Sequence, residues 1–82
     1  MKKVVMFTGA WCNPCKQAKP VFQQIKDANP QMQFEIIDID EHRDMANDFN
    51  ITGVPTFMLI ENDEEVKRIV GAANVTKVKE LL

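Results

Sequence analysis

Trp11-Cys12-Asn13-Pro14-Cys15 joins two stretches of different periodicity. Before it, Lys3 to Thr8 is a run of β-branched and large apolar residues, the pattern of a buried strand. From Cys12 to about Asn29 the pattern becomes helical. Cys15, Ala18, Phe22, Ile25 and Ala28 or Asn29 form the apolar side, and Lys16, Gln17, Lys19, Gln23, Gln24 and Lys26 the polar one. Pro20 falls inside this helix and is expected to kink it. Asn29-Pro30 ends it.

Phe34 to Ile39 reads as a second buried strand, which makes a β-α-β unit with parallel strands. Asp40 is the expected N-cap of a shorter helix to about Phe49, with Met45, Ala46 and Phe49 turned inward and Asn50 in a left-handed C-cap. Thr56 to Ile60 and Glu64 or Glu65 to Val70 read as strands joined by a hairpin at Asn62-Asp63. Asn74 is the expected N-cap of a last helix, with Val75, Val78 and Leu81 or Leu82 facing the sheet. The order βαβαββα predicts an α/β fold, a mixed four-stranded sheet with helices on both faces.

With 82 residues, the chain is expected to form a single domain over 1–82. Its apolar fraction of 45% fits a globular protein and argues against disorder. A chain this small buries roughly 60–65% of its unfolded surface, so a stability of about 5–8 kcal/mol is expected. The net charge of −2 is scattered, which points away from nucleic acid and anionic membranes as partners. Glu61 to Glu65, the densest acidic stretch, reads as a solvated turn. Met1-Lys2-Lys3 followed by Val4 to Phe7 is too short for a secretory signal before Thr8-Gly9 breaks it, and no segment spans a membrane. A cytoplasmic location is expected, where a lone cysteine pair is more often catalytic or metal-binding than a structural staple.

Cysteines three apart can close a disulfide over a very short loop. A thiol at a helix start is also acidified by free N–H groups and the helix dipole. Cys12 is placed there, and Cys15, one turn in on the apolar side, is expected to be more buried and to keep its proton. Cys12 is then the attacking thiol and Cys15 the resolving one. Two other readings compete: half a zinc site, which only His42 and carboxylates are available to complete, and a pair of inert buried cysteines. Pro14 within the first helical turn stiffens the loop, and Asn13 adds a polar group beside the thiolate. Trp11 is either a core residue or an amphipathic contact surface. His42 reads as a surface residue. Gly53-Val54-Pro55-Thr56 places an X-Pro bond before a strand, and on these residues alone a trans bond is the default.

In several blocks, in order and spacing, the chain resembles the thioredoxin family. They are Ala10-Trp11-Cys12-Asn13-Pro14-Cys15-Lys16, Pro20, the Ile36 to Asp40 strand, Ile51-Thr52-Gly53-Val54-Pro55-Thr56 and Val70-Gly71-Ala72. The resemblance implies a thioredoxin-like fold and a cis Val54-Pro55 bond beside the cysteines. It also implies a substrate groove made by Trp11, Val54, Pro55, Gly71 and Ala72 that holds a peptide through short β-like contacts. There are departures. Relative to the family, the chain is expected to start at the strand leading into the active site, without the usual preceding strand and helix. Asn13 stands where the family usually has glycine, Met6 where it has a buried aspartate, and Ile36 near where a lysine is common. Cys15 is therefore expected to lose its proton through water or within the mixed-disulfide complex, with no carboxylate-like ionisation in the rate–pH profile.

The resemblance implies a monomeric protein-disulfide reductase serving electron transport and cell redox homeostasis. It would act on disulfide-containing protein substrates and hold no bound cofactor, with NADPH entering indirectly through a thioredoxin-reductase-type flavoprotein. Two alternatives are a glutaredoxin-like or ribonucleotide-reductase-specific electron donor, and a non-catalytic interaction module. Against the former, the glycine pair and charged residues expected for glutathione are not evident around Val70 to Asn74.

Overall fold

The computed structural model describes residues 1–82. Its elements are β1 (Lys2–Thr8), α1 (Asn13–Ala28), β2 (Gln33–Asp38), α2 (Arg43–Asp48), β3 (Thr56–Glu61), β4 (Glu64–Val70) and a 3₁₀ helix (Ala72–Leu81). The sheet order is β2-β1-β3-β4, with β1 parallel to β2 and the other pairs antiparallel. Val4, Val5, Met6 and Phe7 are all fully buried, because β1 lies inside the sheet with helices over both faces. That explains its unbroken apolar run. The mixed sheet with helices on both faces is the expected fold.

Side-chain alternation divides the core in two. Val4, Met6, Phe34, Phe57 and Leu59 face α1 and the 3₁₀ helix, where they meet Cys15, Ala18, Phe22, Ile25, Val75, Val78 and Leu81. Val5, Phe7, Ile37, Met58 and Ile60 face the other way, against Met45 and Phe49. The first cluster holds thirteen buried residues and the second five, so the α1 side dominates the packing. Both cysteines belong to the larger cluster.

Two helix starts differ from expectation. α2 begins at Arg43 after His42, with no side-chain cap. The delay arises at Asp38, whose Oδ1 accepts the N–H groups of Asp40 (2.8 Å) and Glu41 (3.3 Å) and holds a turn where a helix was expected. The last helix begins at Ala72, with Asn74 inside it donating Nδ2–H to the Val70 carbonyl at 2.9 Å. Gly71 makes this earlier start feasible, because its φ of 101° excludes most side chains. Val75, Val78 and Leu81, spaced three apart, stack along one side of a helix with three residues per turn. The hairpin at Asn62-Asp63 and the left-handed Asn50 are as expected, with φ of 53°, 67° and 53° respectively.

β4 carries an irregularity that joins the two halves of the second face. Leu59 pairs with Lys67 and Ile60 with Glu65, which leaves Val66 unpaired. This extra residue brings Glu65 (opposite Ile60) and Arg68 (opposite Met58) to the same side of the sheet. There Arg68 Nε donates to Glu65 Oε2 at 2.6 Å, and Nη2 donates to Glu65 Oε1 (2.7 Å) and the Phe49 carbonyl (2.6 Å). The hydrogen bonds from Arg68 hold the Glu65 carboxyl below the usual glutamate range.

A depressed carboxyl contributes stability above its unfolded value of about 4.3 and loses it as the pH falls through the lower folded value. Glu65→Gln is therefore expected to flatten that part of the acid limb in urea titrations at pH 2–5. Both side chains are about a third exposed (29% and 32%), so solvent limits the contribution to at most about 1 kcal/mol. An unchanged acid limb in the variant contradicts the assignment.

Candidate active site

Cys12 is the N-cap of α1, with extended backbone (φ −91°, ψ 103°). Its sulfur accepts the Cys15 N–H at 3.2 Å, which satisfies one of the free donors of the first turn. Pro14 occupies that turn, where an absent N–H removes no helical hydrogen bond. The Cys12 N–H donates to the Gly9 carbonyl at 3.0 Å, closing the turn out of β1. The two cysteines form a disulfide, with Cα atoms 5.3 Å apart. That separation is ordinary for a disulfide, so the turn brings the thiols together without rearrangement of the chain.

Burial separates the two sulfur residues less than expected: Cys12 is 4% exposed and Cys15 1%. Hydrogen bonding separates them more clearly. Only the Cys12 sulfur sits at the helix N-terminus with a backbone donor on it, where a thiolate gains from both the N–H and the dipole.

The loop before β3 meets the cysteines from across the sheet. Val54-Pro55 is a cis bond, as the resemblance implied. The Val54 carbonyl oxygen lies 3.7 Å from Cys12 Sγ. Thr56 Oγ1 donates to the Gly53 carbonyl at 2.6 Å, and the Gly71 N–H donates to the Pro55 carbonyl at 3.0 Å. Val54 and Gly71 are thus tied together beside Cys12 through Pro55, whose own side chain is fully buried, with Ala72 packed against the main core.

Trp11 is 64% exposed on the other side of the pair, which removes it from the core. Its Nε1–H donates to Asp40 Oδ2 at 2.9 Å, and its ring lies against Gly9. A Cβ at position 9 would stand 2.8 Å from Trp11 Cε2, closer than any methyl can approach. Gly9→Ala is expected to push the ring away and break the Asp40 bond. Since Trp11 is the only tryptophan, its emission wavelength and acrylamide quenching read this directly. An unchanged spectrum contradicts the contact.

Sequence reasoning missed two features of this surface. Asp40 was expected as a helix cap, and instead it holds the indole of Trp11. Val70, 52% exposed at the end of β4 opposite Thr56, adds apolar surface next to Gly71. Its place at the end of an edge strand beside Gly71 was the available signal. His42 is exposed, as expected. Met6 is fully buried between Ile36 and Phe57, so the strand beneath the cysteines presents no charge at that level. No group of three or more His, Cys, Asp and Glu side chains is arranged to hold a metal ion, and no helix is long and apolar enough to cross a membrane.

The chain is similar to known proteins along most of its length. The Thioredoxin family model matches residues 1–82. A thioredoxin of Mycoplasma genitalium is 41% identical over 78 residues, covering 95% of this chain and 76% of that protein. Thioredoxin H2 of Arabidopsis thaliana is 39% identical over 69 residues, 84% of this chain and 52% of that longer protein. The crystal structure of Fasciola hepatica thioredoxin superposes with a TM-score of 0.88 at 34% identity, over 96% of this chain and 75% of that one.

Proposed function

The chain belongs to the thioredoxin family and is a thiol–disulfide oxidoreductase, and from that premise we propose how its residues divide the work. Cys12, as thiolate, attacks one sulfur of a protein disulfide. A Cys12–substrate mixed disulfide forms and the other substrate sulfur leaves as a thiol. Cys15 then attacks Cys12 Sγ, which closes the Cys12–Cys15 disulfide and expels the second substrate thiol. The protein loses two electrons and the substrate gains two.

The observation that carries this reading is the Cys12 sulfur at the start of α1, accepting the Cys15 N–H at 3.2 Å. That bond stabilises Cys12 as attacking thiolate and again as leaving group when a reductase reopens the disulfide. Trp11, Val54, Pro55, Gly71 and Ala72 supply the groove for an extended substrate segment, with the Val54 carbonyl nearest the reacting sulfur. Asn13 and Pro14 tune the pair through loop stiffness and local polarity.

The reading extends to a monomeric cytoplasmic electron carrier, without a bound cofactor, recharged by an NADPH-dependent flavoprotein of the thioredoxin-reductase type. Insulin reduction tests it with two electron sources. Turnover with NADPH and thioredoxin reductase is expected. Turnover with glutathione alone overturns the reading in favour of a glutaredoxin-like donor.

A further inference from the structure

Resolution of the mixed disulfide requires the Cys15 proton to go somewhere, and the strand directly beneath offers only Met6. A polar opening lies to one side. A cleft of about 280 Å³ is lined by Cys15, Lys16 and Lys19 of α1, by Thr8, Gly9 and Ala10 at the end of β1, and by Asp38 at the end of β2.

Strand alternation explains why polar groups gather there. Val4 and Met6 face α1, so Thr8 does too. Phe34 and Ile36 pack against the same core, which puts Asp38 on that side as well. The register pairs Thr8 with Asp38 directly. A hydroxyl and a carboxylate therefore stand side by side where the apolar core ends, under the helix turn that carries Cys15. Asp38 is half-buried, and its Oδ1 is held by the Asp40 and Glu41 N–H groups, whereas no protein donor bonds its Oδ2. A water occupies about 30 Å³ in the liquid, so the cleft has room for one, and the Thr8 hydroxyl and the Asp38 carboxylate belong to its lining.

We propose that Asp38, acting through water held in this cleft with Thr8, takes the proton of Cys15 as the mixed disulfide on Cys12 is resolved. The step rests on the dithiol exchange proposed above. The Cys15 S–H bond breaks and its proton passes through water to the Asp38 carboxylate. The Cys15 thiolate bonds to Cys12 Sγ, and the Cys12–substrate bond breaks with its electron pair leaving on the substrate sulfur. Asp38 afterwards returns the proton to solvent or to that departing thiolate. Asp38 is thus a carboxylate one strand away from the position where Met6 removes one. The charged groups around this route are Lys16 and Lys19 of α1, and Asp40 and Glu41 in the turn that Asp38 holds.

Rapid mixing of the reduced protein with dithionitrobenzoate separates the two steps. Attack by Cys12 releases one coloured thiolate, and resolution by Cys15 releases the second. Asp38→Asn keeps an acceptor for the Asp40 and Glu41 N–H groups but no longer accepts a proton. It is expected to slow the second release about 10²-fold near neutral pH, with the deficit closing as the pH passes the free-thiol value of about 8.5. The wild-type second phase is expected to show a carboxylate-like ionisation that the variant lacks, in place of the profile without one that Met6 alone leads us to expect. Equal second-phase rates and pH profiles in the two proteins overturn the proposal. If the wild type itself releases only one thiolate, it is the dithiol reading that fails. Should Asp38→Asn not fold, Thr8→Val preserves strand shape while removing the hydroxyl. A several-fold slower second phase supports the route, and an unchanged one overturns it.

Discussion

Cys12→Ser is expected to abolish insulin reduction, and Cys15→Ser to leave the protein covalently attached to its substrate. Serine is itself a preferred N-cap, so the Cys12→Ser variant keeps an acceptor for the Cys15 N–H and the start of α1 survives. The loss of activity then reports on sulfur chemistry and not on folding. A drop on the order of 10³-fold or more is expected, as for removal of a nucleophile that no neighbour replaces.

The Cys15→Ser variant loses only the second step. Cys12 still attacks, and the mixed disulfide accumulates as an added mass that reductant removes. Non-reducing mass spectrometry against a disulfide-containing protein separates the two variants. Trapping by Cys12→Ser and none by Cys15→Ser would reverse the assigned roles. The double variant addresses the remaining alternative, because a pure interaction module retains its function without either sulfur.

Phe22→Ala is expected to bring the fold close to its limit of stability. Phe22 is fully buried in the larger core. Its ring meets Phe34 edge-on at 5.5 Å and stacks on Phe57 at 5.8 Å, so it couples α1 to both β2 and β3. Truncating such a phenylalanine removes about 3–5 kcal/mol, against a total of about 5–8 kcal/mol for a chain of this size. At roughly 4–8 °C per kcal/mol, the melting temperature should fall by about 12 °C or more. Phe49, half-buried against Phe7 at 6.2 Å on the smaller side, should tolerate alanine better. Thermal melts followed by far-ultraviolet dichroism compare the two, and an equal fall for both contradicts the unequal division of the core.

Much of this architecture was legible in the residue pattern. The buried run of β1, the helical stripe from Cys15 to Ile25 and the Asn62-Asp63 hairpin are local signals, each set by side-chain periodicity or by the left-handed backbone that asparagine and aspartate accept. Cys12 and Cys15 belong to the same class, since three positions at a helix start place two sulfurs together whatever surrounds them. The helix starts at Arg43 and Ala72 were less legible. Asp40 and Asn74 each have cap chemistry, and a competing bond decided both cases: the Asp38 turn in one and the Asn74–Val70 contact in the other. Local propensity ranks such caps without telling which free donor the folded chain presents.

The residue pattern alone places two thiols at a strand-to-helix turn, three positions apart and close enough to bond. The surroundings of that pair depend on long-range packing. The Val54 carbonyl beside Cys12, Asp40 on the Trp11 indole and Asp38 beside Thr8 are contacts between residues 42, 29 and 30 positions apart. Sheet order and register bring them together. A shift of one residue between β1 and β2 would turn Asp38 to the opposite face and close the polar cleft beside Cys15.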